Sequence, residues 1–582
     1  MYRKVALLLL VSLWLGQPLV LAQRRPNADN WQRADIPTLE RLLSISRQQQ
    51  RTGIEALILA RLGELYQQQG QTAQAQAAYQ QALALMTQSG NRLGETRLLS
   101  RMANAVTDPT TRIKLLERGM GLALNLPASE RKALQNQLLS RLIQQGRSEQ
   151  AYLWSDALRR QELQDFGEQI RAQIGTPAAQ ALLTQWRTLR QKWLQLQKNY
   201  DQDPSPALSQ ELLALQKELD SLKTQLTQQF PQLADWVQTS PRNLQKLQAQ
   251  LPPQVAVLQP VLLSEASGGN VILFVVTAKS LTSTPVPVKP AELTTLIETY
   301  RNQLQNRRSQ EFRTTSTQLY DLLIRPITAQ LRQQNITHLS LIATDPFRTI
   351  PLETLYDQKE QKYLIQQYPV SYLTRISARN LAQNSPTGLK LLALGNPHPQ
   401  DARALPGSER EVQAISELLT GSTRYLGKEA TLVNFQRSAA GFPILHLATH
   451  GCFKDAGCPG LQMEPHTLLF ADRNFQVADV AQLPLKNTDL VVLSACQTAV
   501  RTEESGGELA GVAYLFELAG ARSVIASLWS VDDQVTSELM VEFYRQIYSG
   551  KPKAIALQNA KLTLINRHPY YWSPFILLGD SN

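Results

Sequence analysis

Cysteine is scarce in this chain: only Cys452, Cys458 and Cys496 occur in 582 residues. No second Cys or His pair stands at ligand spacing around them, so a zinc site is not expected and no residue is assigned as a metal ligand. Long apolar runs are missing after the first residues, and no later segment is expected to span a membrane. Blocks of five or six Lys/Arg and basic stripes interleaved with aromatics are missing too. The formal charge of +11 is therefore read as solvation, and no nucleic-acid partner is expected. No Gly-rich dinucleotide fingerprint follows any strand-like run. Gly421 to Lys428 resembles a phosphate loop, but its glycines are one residue too far apart and Glu429 replaces the hydroxyl residue, so no nucleotide and no other cofactor is implied.

What is present describes a folded chain. A hydrophobic fraction of 43% and an aromatic fraction of 7% are those of ordinary globular protein. The length suggests about two or three folded units. Met1-Tyr2-Arg3-Lys4, an apolar run from Val5 to Gly16, Pro18 and then Val20-Leu21-Ala22 have the order of a secretory signal peptide, residues 1–22, cut after Ala22. The alternative is an uncleaved anchor, but the run is shorter than the roughly 20 residues of a spanning helix. The mature chain is expected outside the cytoplasm, periplasmic or extracellular, with no stable membrane span. In such a compartment a nearby cysteine pair tends to be bridged. Cys452 and Cys458 are close enough in a Gly- and Pro-containing loop to close a small ring, leaving Cys496 as the odd thiol.

Residues 23–165 read as helical repeats. Leu59, Leu62, Gly63, Tyr66, Gly70, Ala75, Tyr79 and Ala82 stand where the tetratricopeptide repeat puts its large, small, aromatic and turn residues. Gly63 and Ala75 would let two antiparallel helices approach, with Tyr66 and Tyr79 filling the space between them. Leu138, Leu142, Gly146 and Ala151 resemble a second, degenerate copy; a plain helical hairpin is the alternative. Stacked repeats of this kind bind peptides or proteins. Residues 166–250 are Gln-, Leu- and Lys-rich with leucines at helical spacing, and Asp203-Pro204-Ser205-Pro206 breaks them into a helical hairpin or coiled-coil spacer.

From residue 251 to 582 the pattern changes to short β-branched runs: Val255 to Leu263, Val271 to Thr277, His338 to Ala343, Lys390 to Leu394, Ile444 to Thr449, Leu490 to Ala495 and Ser523 to Leu528. Helical stretches lie between them. The first two pair through Gly268-Gly269-Asn270, and the alternation predicts an α/β domain with a mostly parallel sheet covered on both faces. Ser408 and Glu411 have capping-box spacing before Val412, and Gly520 ends another helix.

In such a sheet, reacting groups gather at the carboxyl ends of central strands. Two strands end in reactive side chains: Ile444-Leu445-His446-Leu447-Ala448-Thr449-His450-Gly451 and Leu490-Val491-Val492-Leu493-Ser494-Ala495-Cys496. A thiol needs a base beside it to act as a nucleophile, and His450 can supply one to Cys496. The N–H groups of Gly451 and Cys496 are candidates for an oxyanion hole. Cys496 read alone is a buried core thiol, and His446, on an apolar strand, reads as a hydrogen-bonded core residue.

The order His-Gly, then a strand ending in Ala-Cys, resembles the caspase arrangement, whose spacing is roughly 50. The words His446-Leu447-Ala448-Thr449-His450-Gly451, Leu493-Ser494-Ala495-Cys496-Gln497-Thr498, Ala526-Ser527-Leu528-Trp529-Ser530-Val531-Asp532-Asp533 and Tyr571-Trp572-Ser573-Pro574-Phe575 are together similar to the CHAT family. These are caspase-like domains of clan CD found in bacteria behind tetratricopeptide repeats. The resemblance implies a caspase-hemoglobinase fold and cysteine endopeptidase activity on protein substrates, with His450 as base and Cys496 as nucleophile. Gln497-Thr498 departs from the caspase word, so cleavage after aspartate does not carry over. Clan relatives cut after basic residues, which requires a carboxylate in the specificity pocket; Asp532, Asp533, Glu503, Glu504 and Glu508 are the candidates, with helix capping as the other reading of Asp533. The rival to an enzyme is a non-enzymatic scaffold or regulatory module built on a peptidase-like domain.

Overall fold

The computed structural model describes residues 33–230, 233, 241–377, 389–398, 400–401, 403–453, 456–494, 506–529 and 532–582. The expected leader falls outside them. No helix among the described residues is long and apolar enough to cross a membrane. The chain divides into two compact units, one running to Ala105 and including Leu196–Leu213, the other comprising Val106–Gln195 and Ala214–Asn582.

The first unit contains α1 (Ile36–Gln48), α2 (Thr52–Gln68), α3 (Thr72–Gln88) and α4 (Arg92–Ala105). Asp35 caps α1 through Thr38 N. Gly63 is needed for close packing: a Cβ there would lie 2.5 Å from the Tyr79 ring. Gly70, at φ +74°, turns α2 into α3, in a left-handed conformation that costs glycine little. Tyr66 departs from expectation. Instead of filling the gap beside Tyr79 it is only half-buried and donates to Glu40 of α1 at 2.7 Å; that bond pushes its phenol up to about 12.

The second unit begins with α5 (Pro109–Ala123), α6 (Ala128–Gln144) and α7 (Ser148–Gln169). Leu138, Leu142 and Ala151 are buried and Gly146 adopts φ +68°, as in the first repeat. The stretch 166–250 is not a separate spacer body. It forms α8 (Pro177–Gln202) and α9 (Pro206–Gln229), broken at the proline pair, and each part packs within its own unit. Tyr200 and Pro204 close on Gly53 in the first, whereas Arg187 binds Glu168 at 2.8 Å and the Ala172 carbonyl at 2.9 Å in the second.

Among the described residues that follow, eleven strands make the main sheet, and we number them β1 (Val255–Leu262), β2 (Asn270–Val276), β3 (Leu281–Pro287), β4 (His338–Leu341), β5 (Val370–Tyr372), β6 (Leu391–Gly395), β7 (Thr423–Leu426), β8 (Ile444–Ala448), β9 (Leu490–Leu493), β10 (Ser523–Ser527) and β11 (Phe575–Gly579). They form one sheet in the order β3-β2-β1-β4-β5-β11-β10-β9-β8-β6-β7. β1–β2, β2–β3 and β10–β11 pair antiparallel, and the remaining neighbours pair parallel. β4, β5 and β8 to β10 are almost wholly buried, with β9 entirely aliphatic and a few buried serines and His446 in the others, as in a sheet covered on both faces.

Two helices bear on the site. α10 (Pro406–Leu418) starts earlier than the capping-box spacing suggests: Pro406 occupies its first turn. Ser408 is already helical, donating to Leu405 O and accepting from Asn396 N, while Glu411 is turned into the core. α11 (Gly506–Ala519) ends at Gly520, φ +124°, where a Cβ would lie 2.6 Å from Lys486 N. At Gly511 of α11 a Cβ would sit 2.2 Å from the Phe166 ring of α7, so the last repeat helix packs directly on the α/β domain. Arg159 of the same helix donates to Thr374 O at 3.0 Å.

Candidate active site at the carboxyl ends of the central strands

β8 and β9 are parallel neighbours in the register Leu447↔Leu493. His450 lies three positions beyond Leu447, and Cys496 lies three positions beyond Leu493 in the sequence. Cys496 itself falls outside the described residues, as do Glu503, Glu504 and the side chains of Glu508 and Asp533.

His450 follows the end of β8. Its backbone leaves β8 and joins a small three-stranded sheet in which Gly451 pairs with Leu468 and Leu469 N donates to His450 O at 2.9 Å. A side chain at Gly451 would press on Phe453, whose ring lies 3.0 Å from an added Cβ. The His450 ring is buried, with Nε2 3.0 Å from the Arg403 carbonyl. A carbonyl only accepts, so Nε2 carries the proton and Nδ1 is the basic nitrogen of the neutral ring.

The loop that supplies this carbonyl follows β6 and is itself tied down. Arg403 Nε lies 3.1 and 3.2 Å from the two Asp401 oxygens, Arg403 Nη2 lies 3.0 Å from His398 Nδ1, and His398 Nε2 lies 3.2 Å from Phe470 O. The guanidinium bonds, with Arg403 N–H, bring the Asp401 carboxyl down to about 2. A depressed carboxyl stabilises the fold above its unfolded value near 3.8 and loses that contribution as pH falls toward about 2, so this tie persists through neutral and mildly acidic pH. These three residues were not singled out from the sequence; their position just after β6, the strand beside β8, was the available signal.

His446 is buried in the core, where Nδ1 shares a hydrogen bond with the Tyr544 hydroxyl at 3.0 Å and Nε2 lies 2.9 Å from Glu411 Oε1 without the alignment of a hydrogen bond. It is the hydrogen-bonded core residue that its strand position suggested. Asp532 caps α12 (Asp533–Tyr548), accepting from Gln534 N at 3.2 Å and Val535 N at 3.3 Å, with Arg307 Nη1 3.7 Å from its other oxygen. The cap residue is thus Asp532 rather than Asp533. Cys452 and Cys458 are bonded to each other and packed with Met463 and Leu469. Thiol titration of the denatured, unreduced protein is expected to find one thiol, and three after reduction; three from the outset would mean that the bridge does not form in solution.

A mostly parallel sheet with His450 just beyond the carboxyl end of β8, preceded by an all-helical region, defines a caspase-like, cysteine-peptidase-related α/β fold. Residues 313–580 match the CHAT domain; this part of the chain is a CHAT domain, with tetratricopeptide-type repeats in front. The chain is similar to human (Homo sapiens) Tetratricopeptide repeat protein 28, 26% identical over 332 residues that cover 45% of this chain and 13% of that one. Among solved structures it is similar to the separase chain of the Saccharomyces cerevisiae separase–securin complex, with TM-score 0.40 and 10% identity, covering 91% of this chain and 53% of that one. It is also similar to the Arg-specific cysteine proteinase gingipain R, with TM-score 0.32 and 9% identity, covering 50% and 74%. The chain therefore spans about half the separase chain and a small part of the human relative.

Proposed function

We propose that the chain is an exported thiol endopeptidase that uses His450 and Cys496, with the helical repeats binding its substrate or a regulator. The observation that carries this reading is the register Leu447↔Leu493, combined with a His450 whose Nε2 is held on the Arg403 carbonyl. That hold fixes the ring plane and leaves Nδ1 as the proton acceptor. Nδ1 takes the Cys496 proton, and the thiolate attacks the scissile carbonyl, whose oxyanion is received by the N–H groups of Gly451 and Cys496. His450 then returns the proton to the leaving amine, and water activated by the same nitrogen releases the acyl group. Asp532 is committed to capping α12, which weighs against it as the carboxylate for a basic P1 side chain; Asp533, Glu503, Glu504 and Glu508 remain the candidates.

A peptidyl acyloxymethyl ketone tests the reading against the scaffold alternative. Intact-mass measurement is expected to show one adduct on Cys496, formed much more slowly in His450→Ala. A panel of such probes with varied P1 residues that leaves Cys496 unmodified favours the scaffold.

A further inference from the structure

The repeat unit holds an open cavity of about 340 Å³, within the size range of ligand-binding clefts. Its floor is apolar, made by Ala60 of α2, Met86 of α3 and Leu98 of α4, all buried. Its rim is charged. Arg61 and Arg101 share the single carboxylate of Glu64, at 2.7 and 2.6 Å, and Arg97 pairs with Asp201 at 2.7 Å. Three guanidiniums therefore stand against two carboxylates. Arg61 Nε is buried without a hydrogen-bond acceptor among the described residues. Arg97 and Arg101 are one turn apart on α4, with side chains 43% and 49% exposed; like charges at this spacing repel, and a bound anion relieves the repulsion.

We propose that this cavity docks an acidic peptide segment, an aliphatic side chain entering the floor while an adjoining Asp or Glu carboxylate pairs with the Arg97–Arg101 face. The proposal rests on the reading of the repeats as a partner-binding region and names the chemistry of the partner. A guanidinium fork suits a carboxylate, and exposed ion pairs such as those on the rim are weak enough to exchange. No aromatic ring lines the cavity, so a nucleobase would have nothing to stack on.

The test uses the full chain carrying Cys496→Ala, so that no bound peptide is cleaved. A random-peptide display library is panned on it, and enriched sequences are synthesised with a fluorescent label for polarisation titrations. The expected result is enrichment of Asp or Glu beside Leu, Ile, Val or Met. Affinity should fall about tenfold or more in Arg101→Glu and in Arg97→Glu, and far less in Arg101→Lys. Both arginines are exposed enough for the helix to tolerate the change, and circular dichroism checks that it does. No enrichment, enriched peptides without a carboxylate, or binding equal in Arg101→Glu overturns the proposal. Because capture is read without turnover, its failure beside intact cleavage removes the docking site alone, and the reverse removes the peptidase reading alone.

Discussion

Cys496→Ala is expected to slow cleavage of a peptide library by about a thousandfold or more while leaving circular dichroism and the unfolding midpoint unchanged. The thiol is the nucleophile that opens the peptide bond in the proposed mechanism, and water acts only on the acyl-enzyme that the thiol has formed. His450→Ala should fall to a similar rate, and the double variant should be no slower than either single, because base and nucleophile act as one unit. Undiminished turnover in Cys496→Ala would remove the assignment. A large additional loss in the double variant would show that the two residues act separately.

Lys561→Met should produce one of the largest losses of stability in the α/β domain. Lys561 and Glu353 are each 2% exposed, with Nζ 2.6 Å from Glu353 Oε1, and the other Glu353 oxygen accepts from the Tyr372 hydroxyl at 2.6 Å. Burial and this carboxylate hold the Tyr372 phenol well above its ordinary value, so the tyrosine stays neutral and offers the carboxylate a hydrogen bond but no compensating charge. Deleting the lysine strands a buried carboxylate, which costs about 3–5 kcal/mol. Adding Glu353→Leu to Lys561→Met should return much of that loss, since an apolar pair asks for no compensation. Urea unfolding of the four proteins measures the coupling; a single variant within about 0.5 kcal/mol of the parent would show that water reaches the pair.

Much of the architecture was readable from the chain. The strands met as apolar β-branched runs are those buried on both faces, where the side chains alone report the environment. β3 escaped because Pro285 and Pro287 argue against a ladder; the proline-bearing strand is tolerated only because β3 lies at the sheet edge. β5 escaped because three residues carry no period. The capping box at Ser408 misled for another reason: Pro406 had already opened the helix, and the serine hydroxyl was taken by Asn396 N.

At the candidate site, His450 was legible because an imidazole at a strand end is chemically conspicuous. Its orienting group was not. Any residue supplies a carbonyl oxygen, so nothing in the letter R at position 403 announces that its backbone receives the His450 Nε2 proton. What the sequence did offer was the side-chain brace of that loop, His398, Asp401 and Arg403, whose charges make sense only once the loop is folded back over β8.

The sheet order also bears on how the α/β region can be taken apart. The CHAT match starts at residue 313, yet β1, β2 and β3 precede that point and occupy one flank of the sheet beside β4. A fragment cut at 313 would bare the N–H and C=O groups of His338–Leu341, an edge with no lysine, acidic residue or proline to guard it, and would also discard Phe166 from its seat on Gly511. Such a piece should self-associate through open backbone. The smallest autonomous peptidase-like body is therefore expected to begin before α7, within the repeats themselves.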